Sequence, residues 1–420
     1  MRIAIIGTGI SGMGAACLLH PHHDIVVFEK NAYVGGHSRT LITPDHVPVD
    51  TGFIVFNHRN YPLLTGLFKH YGVDTAKSNM SFGTSISKKS QPAWLEYSSK
   101  GVFAQKRNLI RPDFWRMLFD IVRFNKHADE ILQTNSTISL RDYLKHLKMG
   151  DWFGRYYLQA MGAAIWSCSV ETILDFPARS FIQFFKNHGL LTIKNHPQWY
   201  SVIGGSRAYV EKITASFADK IHLNCGAVRV TRTKDNQCIV TDTQGKETLF
   251  DHIIFACHAD EALDIIDAPT DAEIDVLGGV AYQPNRAVLH QDSSFMPKNK
   301  KSWASWIYLS EDLNDTGASV SLTYWMNNLQ ILKTQNPVFV TLNPAREPQN
   351  IINSHIFTHP VFNDKTLKSQ NTLPLIQGKD RLWFCGAWQR YGFHEDGLLS
   401  AVNLVKQIAP DLDLPDWCIV

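Results

Sequence analysis

Apolar positions at the start of the chain run without alternation: Ile3-Ala4-Ile5-Ile6, broken at once by the turn Gly7-Thr8-Gly9-Ile10-Ser11-Gly12. A short, unbroken β-branched run suits a strand buried on both faces, as in a parallel sheet. A helical stretch through Leu19 follows, and then a second apolar run, Ile25-Val26-Val27-Phe28, that ends at Glu29. Further along, helical spacing takes over. Phe114, Met117, Leu118, Ile121, Val122, Phe124 and Ile131 predict a helix over 113–132 behind Pro112, and Ser139 is placed to cap a helix over 140–147. Residues 156–166 and 208–217 continue in helical style. Residues 221–256 alternate between strands and turns, and 287–289 and 319–326 read as strands. Near the end, Leu382-Trp383-Phe384 predicts a strand stopping at Gly386, and 397–409 a helix with an apolar face.

The opening strand–turn–helix–strand is the context in which a G-x-G-x-x-G pattern has physical meaning. Gly7 permits the tight turn, Gly9 lets a pyrophosphate approach the backbone, and Gly12 lets helix and strand pack closely. The N–H groups at Ile10 and Ser11, with the helix dipole behind them, then favour phosphate. Glu29, 22 residues beyond Gly7 and followed by Lys30, is placed to accept hydrogen bonds from an adenosine ribose. Its charge disfavours a ribose 2′-phosphate.

At 420 residues the chain is long enough for two domains, and 44% hydrophobic with 19% charged residues describes a globular protein. Lys plus Arg number 41 against 39 for Asp plus Glu, a net charge of +2 without a basic stripe, so nucleic acid is not an expected partner. Seven cysteines lie scattered without a C-x-x-C pair, which predicts free thiols. His20, His22 and His23 fall around Pro21 in what reads as a polar loop, and no metal site is expected. The apolar N-terminus superficially resembles a secretory signal, but Arg2 is its only charge and cleavage there would remove the glycine turn; it is expected to be retained. No run of about eighteen apolar residues predicts a membrane span. The expected location is the cytoplasm.

The segment after Glu29 narrows the cofactor. Gly35-Gly36-His37-Ser38-Arg39-Thr40 resembles the second glycine motif of the flavin-containing amine oxidase superfamily, which includes protoporphyrinogen oxidases and phytoene desaturases. Asp50-Thr51-Gly52 resembles that superfamily's acid-x-glycine segment beside the flavin ring, and Gly204-Gly205-Ser206 its turn back into the FAD domain. Val228 falls where a backbone contact to adenine is expected. The stretch from Gly386 to Gly397-Leu398 resembles the closing flavin motif, in its detail most like bacterial predicted NAD/FAD-binding proteins. The resemblance implies an α/β fold: a Rossmann-type FAD-binding domain from 1–56, 200–263 and 375–420, with a discontinuous, partly helical α+β substrate domain from 57–199 and 264–374. It implies non-covalent FAD and a final helix whose N-terminus faces the flavin.

Three departures qualify the resemblance. His37 stands where arginine is usual, moving the phosphate-neutralising role to Arg39. Ala387 replaces a glutamate frequent in amine oxidases. Arg286, in place of a lysine, is expected near the flavin's reactive nitrogen. The reacting centre is expected to draw on Trp388, Tyr391, His394 and Glu395, with His394 exchanging protons; a capping role for Glu395 and Asp396 is the plainer alternative. The expected activity is dehydrogenation or desaturation of an apolar substrate, fatty acyl or isoprenoid, with amine oxidation or a redox-neutral isomerase or hydratase as alternatives. The electron acceptor is not specified. Phe114-Trp115-Arg116, with Arg107, Arg111 and Arg123, marks the place for a shallow peripheral membrane contact.

Overall fold

The computed structural model describes residues 1–88, 91–134, 136–166, 173–187, 189–191, 196–310 and 321–419. Cys168 and the first two residues of the strand expected over 319–326 lie outside them, as do the side chains of Ala163, Ala164 and Trp166.

The unbroken apolar runs become the centre of a five-stranded parallel sheet. Its order across the sheet is Ile221–His222, Asp24–Phe28, Arg2–Ile6, His252–Phe255 and Leu382–Phe384. Ile3, Ala4 and Ile5 are fully buried, as both-face burial demands. Five strands from distant parts of the sequence therefore end along one carboxyl edge, where the α/β architecture places its ligands. Helix Ile10–Leu19 packs on one face with all ten residues buried, and helix His394–Ile408 lies against it.

A three-stranded antiparallel meander, Ala227–Arg232, Cys238–Asp242 and Glu247–Phe250, sits beside this sheet. The alternation expected across 221–256 thus divides. The two outer strands join the parallel sheet and only the inner three form the meander.

The second body is built on a seven-stranded mixed sheet. Its order is Ile351–Pro360, Tyr282–His290, Phe339–Leu342, Ser321–Trp325, Trp306–Ser310, Phe82–Lys88 and Gln91–Ser98. The last two strands lie within 57–199, a stretch in which the sequence pattern marks helices and no strand. Their polar positions Thr84, Ser85, Glu96 and Ser98 are buried, the last three in hydrogen bonds, so the hydrophobic alternation that marks a strand is blurred. The helices of this body include Pro112–Leu132, Leu140–His146 capped by the Ser139 hydroxyl, and Ala178–Asn187, and they cover an aromatic-rich core.

Gly12 is the tightest point of the dinucleotide turn. A Cβ there would lie 2.0 Å from the Gly7 carbonyl oxygen, and Gly7 itself has φ +105°. Because the obstacle is backbone, Gly12→Ala is expected to lower stability by about 1–3 kcal/mol, read as a lower melting temperature, and to weaken flavin retention in the same preparation.

Candidate active site and cofactor cleft

The carboxyl edge of the parallel sheet is shaped to take an anion. Gly9 caps helix Ile10–Leu19, whose first turn holds no acidic residue, and a Cβ at Gly9 would meet nothing within 4 Å. The first N–H groups of the helix, at Ile10, Ser11 and Gly12, have no partner within the helix and carry the positive end of the dipole behind them. Glu29 is buried at the end of its strand. One carboxylate oxygen accepts from the Thr8 N–H (3.1 Å) and hydroxyl, the other from the Asn31 N–H (2.8 Å) and side-chain amide (2.7 Å). Lys30 turns away, its ammonium on Glu261. Val228 lies at a bulge in the meander, half exposed.

The second glycine motif crosses the first. Gly35, with φ +121°, accepts the Ser38 N–H on its carbonyl and donates its own N–H to the Thr8 hydroxyl at 3.2 Å. Gly36, with φ +57°, backs onto the first glycine turn, since a Cβ there would lie 3.1 Å from the Gly9 Cα. Gly52 closes on the same loop, because a Cβ there would lie 2.1 Å from the His37 carbonyl oxygen.

His37 enters a nest of rings. Its centroid is 4.8 Å from Phe357, 5.2 Å from His359 and 6.3 Å from His258. Burial and the neighbouring imidazoles hold His37 well below the usual histidine range, and His359 is lowered to about 4, chiefly by burial. His359 Nδ1 meets the Asn285 amide at 2.9 Å, and His258 Nδ1 meets the Thr358 hydroxyl at 3.1 Å. His37 Nε2 is buried without a hydrogen-bond partner among the described residues. A buried ring nitrogen beside the glycine turns fits a polar ligand group supplied by a cofactor. Arg39 spans the cleft, donating to Thr51 Oγ1 at 3.3 Å and to Asn353 Oδ1 at 3.2 Å.

Asp50 lies beneath this loop, fully buried. It accepts from the Thr40 hydroxyl, the Ser206 N–H (2.8 Å) and hydroxyl (2.7 Å), and the Gln330 amide (2.7 Å). Ser206 opens helix Ser206–Thr214, which starts two residues before the 208 expected because Asp50 satisfies that N-terminus. Burial outweighs these donors and raises the Asp50 carboxyl to about 6.

The closing segment redistributes the expected reacting residues. The last helix begins at His394, three residues earlier than expected, because Asp396 folds back to accept the Phe393 N–H (3.0 Å) and Tyr391 N–H (3.3 Å). Gly397 is thus inside the helix, packed on Ile10 and Ser11, and Leu398 is buried facing Gly14. Trp388 is buried in the core beside the meander, its ring against Gly386. His394 stacks on Phe53 at 3.8 Å, and its Nε2 meets the Tyr209 hydroxyl at 2.7 Å and the Ser38 hydroxyl at 3.0 Å. Burial lowers it to about 3, so it stays neutral near pH 7.

Glu395 accepts the N–H groups of Leu63 (2.8 Å) and Leu64 (3.0 Å), at the start of helix Pro62–His70. It caps a neighbouring helix, a partner sequence spacing cannot reveal. Tyr391 faces the aromatic core of the second body, 6.0 Å from Phe184. Arg286 departs from its expected place: it forms a two-pronged pair with Glu347 at the surface (2.7 and 2.6 Å), while buried Asn285 occupies the inward side.

Sequence reasoning missed Phe53, Tyr209, His258, Phe357 and His359. Only His258 carried a signal, since it follows the strand that ends at Phe255 on the ligand-bearing edge.

A parallel sheet whose carboxyl edge joins two glycine turns to a buried ribose-type carboxylate defines a dinucleotide-binding oxidoreductase. The family model for flavin-containing amine oxidoreductases matches residues 10–330, and the chain belongs to that family; it is an FAD-dependent oxidoreductase. A search of curated protein sequences gives no match. Among solved structures, it is similar to a fatty acid isomerase producing CLA from P. acnes, with TM-score 0.69, 13% identity, and 97% and 98% of the two chains covered. It is also similar to cyclohexylamine oxidase from Brevibacterium oxydans IH-35A (TM-score 0.68, 14% identity, 97% and 99% covered). A third is a putative protoporphyrinogen oxidase from Exiguobacterium sp. 255-15 (0.67, 13%, 98% and 99%). At these identities the likeness speaks for the fold.

Burial raises Glu395 to about 7. A carboxyl that keeps its proton longer when folded favours folding below its ordinary range and loses that advantage as pH climbs through 7. Glu395→Gln cannot ionise, so from about pH 5 to pH 8 the wild type should lose about 1–3 kcal/mol relative to the variant. Denaturant melts at the two pH values check this; a constant difference would refute it.

Proposed function

We propose that the enzyme is a dehydrogenase or desaturase of an apolar substrate, a fatty acyl chain or an isoprenoid, with FAD held non-covalently. The observation that supports this most is the aromatic wall before the final helix. Phe184 stacks on Phe393 at 4.9 Å and faces Tyr391, while Trp199 is packed against both main hydrophobic cores. Such a wall offers apolar contact and excludes water where the two bodies meet.

Gly7, Gly9, Ile10, Ser11, Gly12, Glu29, Gly35, Gly36, His37 and Gly52 would hold the cofactor, whose flavin supplies a two-electron acceptor. Desaturation removes a hydride and a proton from adjacent carbons and leaves a C=C bond. The chain's part is to fix the apolar body against the cofactor, keep water out and receive the proton. His37, whose Nε2 is buried without a hydrogen-bond partner among the described residues, would receive it, against the burial that disfavours its charged form. Amine oxidation is disfavoured because Ala387 stands in place of the glutamate frequent in amine oxidases and Arg286, in place of their lysine, is committed to Glu347 at the surface.

Anaerobic addition of candidate substrates to the purified holoenzyme, followed in the visible flavin band, tests the reading. Bleaching by an acyl or isoprenoid compound with formation of a new double bond is expected. Bleaching by amines alone would establish an amine oxidase, and a shifted double bond without net bleaching an isomerase. Tyr391→Ser should lower kcat/KM for apolar substrates about tenfold, the cost of losing buried aromatic contact, with flavin content unchanged.

A further inference from the structure

We infer that the outer face of helix Pro112–Leu132 and the turn before it form a docking surface for an anionic lipid bilayer. The inference stands on this surface alone and does not depend on the substrate.

Phe114, Met117, Phe124, Ala128 and Ile131 point into the substrate-domain core and are buried. Phe114 thereby leaves the contact that the sequence suggested. The opposite face is where large apolar side chains meet solvent. Trp115 is 40% exposed, Phe119 69% and Val122 52%, at the i, i+4, i+7 spacing of one helix face. The preceding turn, Lys106–Ile110, adds Leu109 at 50% and Ile110 at 84%. The Trp115 indole N–H is already satisfied by the Leu109 carbonyl at 3.0 Å, which ties the turn to the helix and lets that ring enter an apolar phase without stranding a donor. Singly exposed apolar residues are ordinary, but five on one helix-and-turn face are not.

Charge selects the partner. Residues 106–126 contain six basic residues (Lys106, Arg107, Arg111, Arg116, Arg123 and Lys126) and two acidic ones, Asp113 and Asp120. Their net charge of +4 exceeds the +2 of the whole chain, so the rest of the protein is slightly acidic. Asp120 is buried between Arg116 and Arg123 and bonded to the Gly150 N–H, and Asp129 and Glu130, at the far end of the helix, pair with Lys186 and His127. Apolar side chains ringed by cations match an interface of acyl chains beneath anionic headgroups. Among the described residues no helix is long and apolar enough to cross a membrane, so the contact would be one lying on the surface.

The test is flotation of the flavin-loaded, full-length protein with vesicles of equimolar phosphatidylglycerol and phosphatidylcholine, and with phosphatidylcholine alone. The wild type should float with the anionic vesicles, and less so as salt rises. Ile110→Ser combined with Phe119→Ser should lower the partition at least tenfold, and Lys106→Glu with Lys126→Glu should do so for anionic vesicles, both with unchanged flavin spectrum and melting temperature. Absence of binding at low salt, equal binding to neutral vesicles, or binding unaffected by either pair would overturn the inference. So would gel filtration showing a wild-type dimer that Ile110→Ser with Phe119→Ser converts to monomer, because the face would then be a contact between two copies of the chain. If one pair fails to fold, the other still decides.

Discussion

The close approach of the first and last helices is the constraint on which the cofactor cleft depends. Helix Ile10–Leu19 and helix His394–Ile408 come from opposite ends of the sequence. They press together where Gly14 meets Leu398 and Gly397 meets Ile10 and Ser11. A side chain at either glycine would force the helices apart or displace what they pack on. Gly12 does the same job between the first helix and its own strand. The result is that both helix N-termini reach the carboxyl edge of the parallel sheet, the first without an acidic residue near its end and the second with Glu395 turned to another helix and Asp396 closing on the N–H of its own N-cap residue, Phe393.

Where those acids go explains much of the local order. Asp50 opens helix Ser206–Thr214, Glu395 opens helix Pro62–His70, and Asp396 secures the loop before its own helix. Each carboxylate satisfies N–H groups that would otherwise be orphaned in a dry junction, and such an omission is costly. Asp50 also accepts from Gln330 of the second body, so one buried side chain registers the glycine loop, the returning helix and the substrate domain together. Burial keeps these carboxyls near neutrality in pKa terms while it drives His37, His359 and His394 the other way, toward neutral imidazole.

The two bodies divide the work by the character of their cores. The Rossmann side is largely aliphatic where the first and last helices meet the sheet, and Phe28, Phe255 and Phe384 of the strands themselves turn to its other face. The substrate side is dense in aromatic rings, from Phe114 and Phe153 to Phe181 and Phe185. Tyr391 and Phe393 reach from the closing segment of the first into the aromatic core of the second, so this segment ties the two cores together.

The amino-acid sequence by itself determined the dinucleotide turn, the first two parallel strands, the long helix at 112–132 and the Ser139 cap. In these, local rules suffice: glycine where a side chain cannot fit, unbroken apolar runs where both faces are buried, a hydroxyl where a helix starts. It left the seven-stranded sheet half hidden, since strands Phe82–Lys88 and Gln91–Ser98 bury polar side chains whose partners lie in other strands and loops. Only the tertiary structure decided that Glu395 caps a helix more than 330 residues earlier in the chain, with Leu63 and Leu64 as its donors. It alone placed His258, Phe357 and His359 around His37 and turned Arg286 outward to Glu347. A residue's role at such a junction is set by what meets it across space, and no spacing along the chain encodes the identity of a partner brought in by another strand.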